Sequence, residues 1–552
     1  MILFSMKLRK RMMKCWSENI FLLFYMLTLL FAGVTIMAIT PPWEGFDETA
    51  HYSSVRYVAE LKQIPLYGSA NMDAEVENYE GPKPYGTLNP PFDLGITYLK
   101  FFQSKNDQEK YVERYNNKNE MPRFREGVSL NWQTQHPPLY YVIISPVLKM
   151  VSHKPLVDQL FVLRFVSFLM ALAGISFAYK AFRNKLLPLK KDPVVIGFLL
   201  YPLLLPMLFF EFARLGNDAL CLFLAGGLAW GMEKVQRTGC KYYYVLACGV
   251  ILGLGLLTKA FFIPIGMAVA LWVFFDFFKN RRNGAAIERV HLFAKLSIFL
   301  LAFLVGGWWY FYKLISVGSL SGSFDGIVLD AQGGFWVNFF QNASLFGILR
   351  GMVATFVTYV WSGSWSLARL PNMVYLPQIL LVLGVFGGYV WFLFEKRPKT
   401  FSQIWLPVWL SGMFGIGMLH HILISVAING NGNTPGWYMH ILLPWIAPAI
   451  GAGILVIFSH KLLRRIMVGL MGYAIFFVIA AMWSQFSMFM GCASKAPTKM
   501  YEFHGSYFCV ADFLNMYSHL KVIGSPAMAG FGLAGFFCCM LLMCVAWRRA
   551  KE

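Results

Sequence analysis

Runs of about twenty apolar residues recur from one end of this chain to the other, and a backbone that enters hydrocarbon must satisfy its own hydrogen bonds, so each run is a helix. The first covers 20–40, and others fall at 158–180, 193–212, 217–235, 243–259, 260–278, 291–313, 375–394, 403–427, 437–458, 466–485 and 526–547. The expected fold class is an all-α polytopic membrane protein of about twelve spans. Composition agrees: 57% of the 552 residues are hydrophobic and 14% charged, too few polar side chains to cover a water-soluble globule of that size. The net charge of +20 is not a footing for nucleic acid, because Lys and Arg collect between the runs, at 180–191, 233–241, 279–282, 395–397, 461–465 and 548–549. Loops on the cytoplasmic side look like this.

That alternation sets the organisation. Residues 1–18 form a cytoplasmic N-terminus, and 19–40 a first span that stays uncleaved, since 34–40 offers no small-x-small site. An external loop, 41–157, carries juxtamembrane helices and the candidate catalytic motif; 158–315 is a transmembrane core. An external, interfacial segment at 316–374, further spans over 375–485, an external loop at 486–525, a last span at 526–547 and a cytoplasmic tail at 548–552 complete the chain. The apolar stretch 139–150 is short for a span, and letting it cross would export the 180–191 cluster, so it lies at the outer interface. The aromatic stretch 335–361, broken by Asn338, Asn342 and Arg350, reads as an interfacial helix ending in a turn at 362–365.

With the basic loops on one side, the isolated polar residues fall on the other: Asp47, Glu48, His51, His136, Arg214, Asn217, Asp218, Lys259, the 430–438 loop and His440. The densest group is Pro41-Pro42-Trp43-Glu44-Gly45-Phe46-Asp47-Glu48-Thr49-Ala50-His51, directly after the first span. Carboxylates at a membrane edge suit a base that takes a proton from an attacking hydroxyl. Lys259 and Arg214 suit a departing phosphate. Each has a plainer reading: an acidic pair solvating a loop, basic side chains reaching for the interface, an Arg214–Asp218 ion pair at helical spacing, Asn217 and Asp218 as a helix cap, His136 as a helix-start residue before Pro137-Pro138.

The Asp47-Glu48 pair after the first span, His136-Pro137-Pro138-Leu139-Tyr140-Tyr141, Gly216-Asn217-Asp218-Ala219-Leu220 and Leu256-Leu257-Thr258-Lys259 together resemble the GT-C superfamily, which includes protein O-mannosyltransferases and lipid A aminoarabinose transferases. The Pro41 to His51 segment and Gly436-Trp437-Tyr438 before Leu443-Pro444 look similar to a bacterial branch of GT-C-like membrane proteins. The resemblance implies an inverting glycosyltransferase that moves a single sugar from a polyprenyl-phosphate donor to a periplasmic acceptor, a glycan or a protein, at the bacterial inner membrane. It makes Asp47 the expected base, with Glu48 beside it touching the sugar, holding a divalent ion or tuning its neighbour. Lys259 and Arg214 are the expected donor-phosphate ligands, and His51, His136, Asp218, Tyr438, His440 and Arg369 the substrate-binding set. In the branch this position resembles a Gly-Arg-Tyr pattern where this chain has Trp437, which implies either a substitute cation, with Arg369 and Arg350 the candidates, or a different acceptor.

A metal is an open expectation, with Glu48 its ligand if any, since no tight zinc-type spacing occurs. Cys492 and Cys509 share the external loop, an oxidising setting in which they are expected to pair, closing a loop of about 16 residues for roughly 3 kcal/mol. The alternatives in function are a ligase or polymerase using a lipid-linked oligosaccharide, and a twelve-helix transporter or flippase, although the charges sit at the outer edge and no repeat is evident.

Overall fold

The computed structural model describes residues 2–66, 68–85, 96–117, 122–183, 187, 191–238, 240–280, 285–318, 324–368, 370–396, 401–458, 461–495, 503–504 and 509–549. It is helical almost throughout. Two antiparallel strand pairs, Asn71–Asp73 with Glu126–Leu130 and Ser494–Lys495 with Phe503–His504, are the sheet among these residues.

Eight helices are long and apolar enough to cross a membrane: Asn19–Ile39, Leu156–Phe182, His291–Ser316, Asn372–Glu395, Leu406–Asn429, Gly436–Ile457, Lys461–Phe489 and Pro526–Arg548. The other four expected spans are helices of a different kind. The 193–212 run is divided into Pro193–Leu204 and Met207–Phe212, because Pro206 holds Leu205 out of the helical region (φ −130°, ψ 64°). Twelve residues reach only about 18 Å against a hydrocarbon core of roughly 30 Å. Asp218–Arg237 has charges near both ends, and Tyr242–Leu256 is separated from Phe262–Asn280 by the turn that carries Lys259. The interfacial helix expected at 335–361 is two, Phe335–Asn342 and Leu345–Val360, meeting at 101°. Ser344 makes the break by capping the second, its Oγ accepting from the Gly347 N–H at 3.0 Å.

Small residues decide which helices meet. Leu156–Phe182 crosses Asp218–Arg237 so closely that a Cβ on Gly226 would lie 2.1 Å from the Gly174 carbonyl oxygen. That crossing brings the start of each helix to one end of the bundle. The same end collects the 257–262 turn, the Leu139–Val151 helix through Leu139 N–H to Leu257 O at 3.2 Å, and the start of Gly436–Ile457. Cys492 and Cys509 are joined by a disulfide.

Candidate active site

The first helix stops at Thr40 because two prolines follow. Its last carbonyls are not left bare: Arg164, from the Leu156–Phe182 helix, donates to Thr40 O at 2.7 Å and Pro41 O at 2.8 Å. The chain then turns twice through the left-handed region, at Trp43 (φ 70°) and Asp47 (φ 57°), conformations that non-glycine residues seldom adopt. These turns send the three carboxylates of the motif to three different places.

Glu44 is wholly buried and accepts from Tyr98 Oη at 2.7 Å, Ser366 Oγ at 2.6 Å and the Ser364 hydroxyl. It ties the motif to the 362–366 turn, and burial without a cation raises its pKa. Glu48 is also wholly buried, and all its oxygen capacity is taken: Arg164 Nε and Nη2 at 2.7 and 2.6 Å, Leu215 N–H at 3.1 Å, Trp43 N–H at 3.2 Å. Glu48, expected to touch the sugar, hold an ion or tune its neighbour, is thus engaged by protein donors on both oxygens. A buried carboxylate in a two-point guanidinium pair is an anchor, and among the described residues no group of three or more His, Cys, Asp or Glu side chains is placed to hold a metal.

Asp47 is different. It starts the Glu48–Leu61 helix without capping it, is half-buried, and accepts one hydrogen bond, from Trp132 Nε1 to Oδ1 at 2.9 Å. Burial raises its pKa above the usual carboxylate value, against the lowering pull of that bond and of Arg214 and Lys259.

Arg214 and Lys259, the expected phosphate ligands, are both buried and paired with carboxylates. Arg214 Nη2 meets Glu211 Oε1 at 2.6 Å and Asp218 Oδ2 at 2.9 Å, and its Nη1 donates to Phe46 O at 2.8 Å. Lys259 Nζ lies 2.8 Å from Asp218 Oδ1 and 3.0 Å from Oδ2, between the rings of Phe261 (4.4 Å) and Tyr438 (4.5 Å). Two cations face two carboxylates in this buried lattice, and burial pushes the Glu211 pKa up to about 8. Asp218, expected on the substrate, is the centre of that lattice. Tyr438 is half-buried against Lys259 and Phe261, and Trp437, which stands where the resembled pattern has arginine, stacks on Phe46 at 3.8 Å.

His51 and His136 both lie beside the lattice and are held neutral, chiefly by burial and then by the nearby cations. His51 Nδ1 is 3.1 Å from Tyr141 Oη. His440 is fully buried with Nδ1 3.0 Å from Tyr201 Oη, which is 3.0 Å from Tyr359 Oη. That places His440, expected in the substrate-binding set, in a buried position. Arg369 lies outside the described residues. Asn217 stands at the N-cap of its helix without a side-chain cap bond, and among the described residues both polar atoms of its buried amide have no hydrogen-bond partner.

Four residues that complete this arrangement were not singled out from the sequence: Glu44, Arg164, Glu211 and Trp132. Arg164 had a signal, as a lone guanidinium inside an apolar run. Glu211 had one too, three residues before Arg214 and on its helical face.

The helices and the buried ionic lattice define a multi-pass membrane protein with a polar centre at one end of its bundle. The chain belongs to the DUF2142 family, described as predicted membrane proteins, whose model matches residues 30–408. No curated protein matches the sequence. Among solved structures it is similar to ArnT from Cupriavidus metallidurans bound to undecaprenyl phosphate, at 13% identity over 95% of this chain and 76% of that one, with a TM-score of 0.39. It is also similar to the archaeal oligosaccharyltransferase AglB from Archaeoglobus fulgidus in complex with an inhibitory peptide and a dolichol-phosphate, at 10% identity over 85% of this chain and 55% of that one, with a TM-score of 0.36.

Proposed function

We propose that this protein is an inverting glycosyltransferase of the GT-C type, moving one sugar from a polyprenyl-phosphate donor to an envelope glycan or surface protein at the periplasmic face of a bacterial inner membrane. The observation that carries the reading is the Asp47 carboxylate. Of the motif's three acids it alone keeps an oxygen, Oδ2, without a hydrogen bond among the described residues, while Trp132 fixes the other. An acceptor hydroxyl delivered to that oxygen gives up its proton as its oxygen bonds the anomeric carbon, and the bond from that carbon to the phosphate oxygen breaks on the opposite face. The lipid phosphate leaves with the electron pair. Burial suits Asp47 to this work, because a carboxylate poorly solvated when ionised takes up a proton readily.

The lattice behind Asp47 supports it as scaffold. Arg214 grips the Phe46 carbonyl and Glu48 is clamped by Arg164, so the turn that presents Asp47 is held from both sides. The test is transfer from a labelled polyprenyl-phosphate sugar pool in membranes carrying wild type or Asp47→Asn at equal abundance. Asparagine tolerates the left-handed backbone, so the expected result is a loss of transfer of at least a hundredfold with the protein folded. Undiminished transfer overturns the assignment, and a product enlarged by many sugars at once replaces single-sugar transfer with oligosaccharide transfer.

A further inference from the structure

Lys313 is a buried cation outside the lattice. It lies in Trp308–Val317, the last stretch of the His291–Ser316 span, with 2% of its side chain exposed, while Ile315 two positions on is 87% exposed. One face of this helix therefore meets the bilayer and the other carries the ammonium inward. Tyr310, one turn earlier on the inward face, donates to Leu256 O at 3.1 Å, so the helix is seated on the turn that carries Lys259. Lys313 Nζ donates to the backbone carbonyl of Gln135, next to His136, and among the described residues no carboxylate pairs with it.

An ammonium has three donors and a full charge, and a single carbonyl answers one donor and none of the charge. Burial of an unpaired charge is expensive, and the contrast with Arg214 and Lys259, each held by carboxylates, is sharp. A site that keeps such a cation beside a lipid-facing helix is arranged for an anion that arrives through the membrane. We propose that Lys313, rather than Lys259 or Arg214, is the residue that binds the phosphate group of a lipid carrier, its acyl or prenyl chain lying along the exposed Phe311, Leu314 and Ile315 face of the same helix. The inference deepens the transferase reading and rests on it only for what the phosphate carries.

The experiment compares full-length wild type, Lys313→Met and Lys313→Arg in nanodiscs, with a labelled C55 polyprenyl phosphate as probe and inorganic phosphate as competitor. Lys313→Met keeps the length of the side chain and removes the buried charge. The expected result is at least tenfold weaker lipid-phosphate binding in Lys313→Met, binding retained in Lys313→Arg, and a melting temperature for Lys313→Met equal to or above that of wild type. Wild-type affinity in Lys313→Met overturns the inference, as does a loss of binding matched by a fall in melting temperature in both variants. Displacement of the lipid by low millimolar inorganic phosphate assigns the site to free phosphate and overturns the lipid as its ligand. Binding lost in Lys313→Met while wild type transfers no sugar leaves this inference standing and removes the transferase reading; transfer by wild type with binding unchanged in Lys313→Met does the opposite.

Discussion

At the level of the single residue, Asp47 combines two costs, a left-handed backbone and a carboxyl whose pKa burial raises, and both point to a residue kept for what it does. The second cost has a measurable sign. With the folded pKa above the unfolded one, the native state binds the proton more tightly, so stability falls as pH rises through the folded pKa. Asp47→Asn carries no such penalty and is expected to melt at a higher temperature than wild type at pH 7, the difference disappearing below about pH 4, where both forms of the carboxyl are protonated. Melting curves from pH 4 to 8 in detergent check this, and an asparagine variant less stable at pH 7 refutes it. The same shift places the acid limb of transfer above the ordinary carboxylate range, which a rate profile over the same pH range tests; a limb near pH 4 contradicts the burial argument. Asp47 was legible in the sequence because charge against an apolar background stands out. Its solitude was not, since Glu48 looks equally available until Arg164, 116 positions away, is seen to occupy it.

At the level of elements, the long runs were readable from hydropathy alone, and all eight long apolar helices fall where the sequence places them. What hydropathy does not carry is the point at which a helix breaks: the interruption at Leu205 and the bend at Ser344 depend on one proline and one hydroxyl. Nor does it carry which helices cross, and the Gly174–Gly226 approach that aligns Arg164 with Glu48 is a pairing of two small residues among 48 glycines. The Arg164–Glu48 pair is the joint between the first two long helices and the motif. Arg164→Met leaves the Glu48 carboxylate buried without its partner, a loss of about 3–5 kcal/mol, and also frees the carbonyls of Thr40 and Pro41. Arg164→Met with Glu48→Met removes both charges and is expected to recover most of the melting temperature lost by the single change. A double variant no more stable than the single one means that the helix-end carbonyls, and not the buried pair, dominate.

For the whole molecule, the argument turns on which side of the membrane the polar end faces. Trp437 stacks on Phe46, and the Trp365 N–H donates to Glu44 O at 3.0 Å, so the 430–438 loop, the 362–366 turn and the 41–51 motif share one end. A helix from Asn372 to Glu395 is roughly 36 Å long, which puts Glu395 at the other end. We propose, from the lysine and arginine count, that this second end is cytoplasmic. Asn433 and Glu395 are both exposed and serve as reporters in a background that keeps the Cys492–Cys509 disulfide and replaces the free cysteines. Asn433→Cys is expected to react with a membrane-impermeant maleimide in intact spheroplasts, and Glu395→Cys only after permeabilisation. On that proposal the site faces away from the nucleotide sugars of the cytoplasm and its sugar would arrive on a lipid, which is the reason for proposing a polyprenyl phosphate as the donor at Asp47. If Glu395→Cys labels first, Asp47 faces the nucleotide-sugar pool, the lipid donor loses its reason, and a soluble activated sugar becomes the substrate to test.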